Sequence, residues 1–352
     1  MRTIKWTTIL LLLGGVVLVS WISYPAPVVG YKMKLSDYGF FQGDIAEMIP
    51  AEDVIPYELN TPLFSDYALK ARFIRFPEGK TVSYDDSLVL DFPVGTAIVK
   101  TFYYPVDARN PEKGRQLMET RVLLNEKAGW KALPYVWNAE QTDAMLDVAG
   151  ARKEVSWKDD KGKKQKLSYV VPNMNQCKGC HLRGEILTPI GPSARQLNGA
   201  YTYPSGERLN QLSYWEAKGV LTELPALTSV PSVPIWKDPL SGSREERARG
   251  YLDINCAHCH NPDGPANTSG LYLDIHTEEP AKLGIRKSPI AAGRGSGGRK
   301  YDIDPGNPNA SILVYRMESE DPGVMMPELS RKLLHHEGIE LIRNWIAGMS
   351  KE

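Results

Sequence analysis

The chain carries no net charge: 42 lysines and arginines balance 42 aspartates and glutamates over 352 residues. A nucleic-acid partner, which needs a basic face, is therefore not expected. Cysteine is scarce, at four residues, and histidine nearly so, at six. No cysteine is left over from two short pairs, so each pair has to be explained as a unit. Between residues 31 and 171 there is neither an internal repeat nor an apolar run long enough to span a membrane. The long apolar run is N-terminal, from Trp6 to Ile22 behind Arg2 and Lys5. A charged start and an apolar centre read as an export signal. A small-x-small cleavage site is also lacking, Tyr24-Pro25-Ala26-Pro27 being a poor one, so for residues 1–30 a cleaved signal peptide and an N-terminal membrane anchor both stay open. Either places the remainder in the periplasm or on the outer face of the inner membrane.

What is plentiful is glycine and proline, at 30 and 26, which argues for many turns and against a helical bundle. The length allows two or three domains. Residues 31–171 read as a β-rich domain, with runs rich in β-branched and aromatic residues at Ala71–Phe76, Leu88–Phe92, Ala97–Tyr104, Arg121–Leu124 and Trp130–Trp137. Val155 and Trp157, then Leu167, Tyr169 and Val171, alternate with polar neighbours around Asp159-Asp160-Lys161-Gly162, the pattern of a hairpin. Residues 172–221 form a second unit, with a helix expected over Glu207–Val220. Residues 222–243 read as a Pro-rich linker, and 244–352 as a last unit with helices at Arg244–Asn255 and His336–Met349. The fold class expected is α+β, a β-rich domain followed by small helical units.

The cysteines fall as Cys177-Lys178-Gly179-Cys180-His181 and Cys256-Ala257-His258-Cys259-His260. A thioredoxin-like pair shares the Cys-x-x-Cys spacing but does not require the histidine that follows both pairs here. A zinc site would use two pairs about 15–20 residues apart, whereas 75 residues separate Cys180 from Cys256. The unit that fits is c-type haem attachment: two sulfurs reach neighbouring porphyrin positions and the next residue meets the iron. Cys177, Cys180, Cys256 and Cys259 are then the attachment residues of two covalently bound haems, and His181 and His260 the proximal ligands.

The last unit resembles a class I cytochrome c domain. Ala248 and Leu252 sit at the spacings of that family's first helix, and Ile339, Ile342, Trp345, Ile346 and Met349 share one face of the final helix. The resemblance implies a distal methionine next to proline ahead of that helix, which carries over to Met326 of Gly323-Val324-Met325-Met326-Pro327, with Met325 as the alternative. The first unit departs from this pattern. Pro172, Asn173 and Asn175 replace the leading helix, and no Met or His lies between His181 and Glu207. Met118, Met145 and Met174 are the remaining candidates for its distal side. The whole chain resembles bacterial exported di-haem c-type cytochromes, through Leu59–Asp66, Pro93-Val94-Gly95-Thr96, Lys100-Thr101-Phe102 and the run into Cys177.

That resemblance implies electron transfer between donor and acceptor redox proteins, an exported dehydrogenase among them. A peroxidase-like di-haem enzyme with an open distal position at the first haem is the second reading, and a docking role for the β domain the third. Gly293, Gly295 and Gly298 match a dinucleotide fingerprint in letters but lack the flanking strand and helix. His258 is expected to face solvent, His335 and His336 to lie on the surface, and Trp130, Tyr135 and Trp137 to fill the β-domain core.

Overall fold

The computed structural model describes residues 30–290, 292–329 and 331–351, so residues 1–29 of the expected signal or anchor lie outside the described residues. No helix among the described residues is long and apolar enough to cross a membrane. Strand and helix are mixed, and one large antiparallel sheet dominates, a fold compatible with the α+β class.

Six strands run in sequence order: β1 (Val54–Tyr57), β2 (Leu69–Arg75), β3 (Ala97–Pro105), β4 (Arg115–Glu126), β5 (Gly129–Trp137) and β6 (Ala144–Leu146). Every neighbouring pair is antiparallel. Because side chains alternate along a strand, register sorts residues into two faces. Phe73, Val99, Val122 and Leu133 align on one, and there they cover Leu35, Phe40, Phe41 and Met48 of the preceding segment. Ile74, Ile98, Leu123 and Ala132 align on the other, against Cys177, Trp215 and Ile254. Both faces are buried, so strands such as Ala97-Ile98-Val99 read as continuous apolar runs.

The hairpin of β7 (Ala151–Lys158) and β8 (Lys164–Val171) packs Val155, Trp157, Leu167 and Tyr169 on Phe102 and Tyr104. Its turn is held by the Asp159 carboxylate, which accepts from the Lys161 and Lys163 amides at 3.0 and 2.8 Å. Tyr135 and Trp137 are core residues, 0% and 1% exposed. The run Leu88–Phe92 corrects an expectation: apart from one bridge, Val89 to Ser193, it forms no strand. Leu90 and Phe92 instead plug the core beside Trp215, and the Leu90 amide bonds to the Pro192 carbonyl.

Helix α1 (Met174–His181) carries the first cysteine pair. Asn173 caps it in a capping box with Gln176, so this short helix holds the motif itself, and among the described residues no helix leads into it as Arg244–Asn255 leads into Cys256. Helix α2 (Gln211–Ala217) is shorter than expected, because Arg208–Asn210 pairs with Ala200–Thr202 and Asn210 then caps the helix. Residues 222–243 are docked along their length: Val230 and Val233 are buried, and the Thr61 hydroxyl donates to the Pro234 carbonyl at 2.6 Å.

Helix α3 (Arg244–Asn255) begins at a Ser243/Glu246 capping box. A short α4 (Ile312–Met317) and α5 (His336–Ala347) complete the last unit. Ala248 and Leu252 pack with Ile342, Trp345 and Ile346. The two long helices approach so closely at Gly338 that a Cβ there would stand 2.4 Å from the Tyr251 hydroxyl.

Candidate functional site

Sheet, α1 and the C-terminal unit enclose a cavity of 680 Å³. All four cysteines, His181, His260 and Met326 line it. Met325 does not, and neither do Met118, Met145 or Met174. Met118 is buried with Phe102 and Tyr104, Met145 is exposed, and Met174 packs on the opposite sheet face. The three methionines considered for the first unit's distal side therefore do not reach it.

The two motifs touch. The Cys259 thiol lies 3.5 Å from the Gly179 carbonyl, beside the Cys180 sulfur. That neighbour draws the Cys180 thiol down and Cys180 in turn pushes Cys259 up. Their loops are tied as well: the Gly184 amide bonds to the Asp263 carbonyl at 2.7 Å, and Arg183 reaches the Asp263 carboxylate at 3.4 Å. Among the described residues no group of three or more His, Cys, Asp or Glu is placed to hold a metal ion.

Both histidines after the motifs offer the same nitrogen. His181 Nδ1 is 2.8 Å from the Thr188 carbonyl. A carbonyl only accepts, so Nδ1 carries the proton and Nε2 keeps its lone pair. His260 Nδ1 is 3.4 Å from the Ser269 hydroxyl, which itself donates to the Ala266 carbonyl at 2.7 Å. That hydroxyl is left to accept, and His260 Nε2 is again free. Burial lowers His181 to about 3 and His260 to about 4, so both rings are neutral at neutral pH. A fixed tautomer held by an outer hydrogen bond is how a protein prepares a metal-binding imidazole.

His258 is half-buried, lines the cavity, and leaves Nδ1 buried without a partner, where solvent exposure was expected. His335 is also buried, not superficial. It stacks on Phe64 at 4.1 Å between centroids, meets Trp236 edge-on, and pairs Nδ1 with the Tyr251 hydroxyl at 2.8 Å. His336 is exposed as expected.

A feature not drawn from the sequence is a row of cations on the sheet wall. Register sets Arg72 opposite Lys100 and Lys100 opposite Arg121, and all three line the cavity. Arg72 pairs with Glu58 at 2.6 Å, and Arg121 grips Glu119 with two nitrogens at 2.6 and 2.8 Å. Lys100 between them has no ion pair or hydrogen bond among the described residues. Burial, then the two neighbouring guanidiniums, bring its ammonium down to about 7. The hint in sequence was a lysine inside the apolar run Ile98–Phe102. Apolar walls, both Cys-x-x-Cys-His units and a basic stripe thus border one cavity. Gly293–Ser296 is a single 3-10 turn, without the strand and helix of a phosphate loop. Set against protein-family models, curated proteins and solved structures, the chain matches none of them.

Proposed function

We propose that the chain is an exported di-haem c-type cytochrome that passes electrons between a donor and an acceptor protein. The observation that carries this is the contact between Cys259 and Gly179 inside one cavity. It would seat two redox centres side by side, as a short wire needs. Bound haem supplies a one-electron ferric/ferrous couple. The chain's own residues do the rest. Cys177 and Cys180 would anchor one haem and Cys256 and Cys259 the other. His181 and His260 would present Nε2, and Met326, which lines the cavity where Met325 does not, would complete the second site and raise its potential. The walls of Ile98, Leu123, Ile254 and Leu313 exclude water. The crossing of α3 and α5 at Tyr251 and Gly338 supports a class I cytochrome c-like reading of residues 244–352. The location proposed is the periplasm or the outer face of the inner membrane, with redox proteins, an exported dehydrogenase among them, as partners.

The test is the mass of mature protein made in a host with c-type haem maturation. Two covalent haems are expected, and haem that extracts into acid-acetone would refute the proposal. The second reading, a peroxidase-like enzyme, draws support from the absence of Met118, Met145 and Met174 from the cavity. Fast carbon monoxide binding by one ferrous haem of the wild type would move it ahead.

A further inference from the structure

We propose that Lys100 is the distal axial ligand of the haem attached at Cys177 and Cys180. This rests on the di-haem reading above and assigns the one coordination position that it leaves open.

On the sheet wall, Ile98, Lys100 and Phe102 of β3 alternate toward the cavity, flanked by Arg72, Arg121 and Leu123. A planar apolar ring suits the Ile98 and Leu123 end. Among the polar groups on this wall, the guanidiniums of Arg72 and Arg121 have no lone pair to give and are held by Glu58 and Glu119. Lys70 is spent on the Leu63 carbonyl at 2.9 Å. Among the described residues of this wall, Lys100 is left with a nitrogen that can become a donor and that only the Phe102 ring faces, 5.2 Å from its centre.

Position also selects it. Cys177 packs in one cluster with Ile98 and Leu123, which share the sheet face of Lys100, so Lys100 is grouped with the first motif. Other donors are less well placed. Met118, Met145 and Met174 miss the cavity. His258 lines it, with Nδ1 unpartnered among the described residues, but it is fixed between the attachment cysteines of the second motif. His335 is clamped between Phe64 and Trp236 with Nδ1 on Tyr251, and its Nε2 lies 3.9 Å from the Glu337 carboxylate.

The chemistry balances simply. The Lys100 ammonium releases one proton to water, and its lone pair forms a dative bond to iron with no change of oxidation state. Two flanking guanidiniums in a water-poor site disfavour the ammonium and so favour this exchange. The sheet is then part of the haem site, since it supplies a ligand from a strand about eighty positions before His181.

The test uses the full haem-loaded chain as wild type, Lys100→Ala, Lys100→Arg and Lys100→Met, with His335→Phe alongside. Ferric electron paramagnetic resonance, carbon monoxide binding and midpoint potentials are read on each. Wild type should be low-spin at both haems and closed to carbon monoxide. Lys100→Ala and Lys100→Arg should turn one haem high-spin and let carbon monoxide bind it, arginine keeping the charge but not the donor. Lys100→Met should restore a low-spin site at a higher potential, which guards against a misfolded alanine variant. His335→Phe should leave both spin states alone. Low-spin spectra that persist in the alanine and arginine variants overturn the assignment, as does a high-spin haem in His335→Phe. Two covalent haems by mass with either result overturn Lys100 alone; no covalent haem overturns the parent reading as well.

Discussion

The Cys259 thiol stands 3.5 Å from the carbonyl oxygen of Gly179, a residue eighty positions earlier. Two segments that nothing in the local sequence connects are thereby in van der Waals contact at their chemically active ends. Five expected outcomes follow from this arrangement and its surroundings.

The haems should be separable by mutation. Cys256→Ala with Cys259→Ala should leave a chain with one haem by mass and a lower melting temperature for the C-terminal unit, whose core residues Leu273, Leu313 and Ile339 line the cavity. A double variant that keeps two haems and the wild-type melting curve would count against the attachment sites.

Met326→Ala should abolish the far-red iron–sulfur band and lower one midpoint potential, while Met325→Ala should change neither. The reason is placement, Met326 being the one of the pair that lines the cavity. The reverse result would hand the role to Met325.

The chain made without haem attachment should cross-link on exposure to air. Cys180 is held below the usual thiol range by Cys259 beside it, which favours its thiolate next to a thiol. Peptide mapping should recover Cys180 joined to Cys259. Recovery of Cys177 joined to Cys180 instead would show that the motifs do not meet in solution.

Gly338→Ala tests the helix crossing through its sign. In an open helix this change stabilises by roughly 1 kcal/mol. Here the new methyl would lie 2.4 Å from the Tyr251 hydroxyl and 2.6 Å from His335 Nδ1, so a loss of about 1–3 kcal/mol is expected from overpacking. Thermal unfolding that shows a gain would mean the helices stand further apart.

Acid should weaken the fold through His335. Burial lowers it from 6.5 to about 4. The unfolded chain thus binds the extra proton first as pH falls, and stability present above pH 6.5 declines toward pH 4, by on the order of 3 kcal/mol at most. His335→Phe should flatten that part of the stability profile, and an unchanged slope would assign the acid sensitivity to other groups.

Much of this protein is written in short stretches of sequence. A Cys-x-x-Cys-His unit states its own chemistry because the spacing is covalent. Ser243 with Glu246 starts a helix at Arg244, and Asp159 with Gly162 turns a hairpin, because caps and turns are satisfied within a few residues. Where local and tertiary demands diverged, the reading from residue types went astray. Leu88–Phe92 has strand composition, yet Leu90 and Phe92 gain more by filling the pocket beside Trp215. His335 looks like a polar helix start until Phe64, brought from 271 positions away, covers it. The cation row leaves no mark along the chain beyond a lysine inside the run Ile98–Phe102. Arg72, Lys100 and Arg121 sit on three separate strands, and only the antiparallel register sets them abreast on one face. The same holds for Cys259 and Gly179. Sequence alone decided which atoms are able to bind. Long-range pairing, in which one residue of register slip would turn each of these side chains to the other face, decided which of them meet.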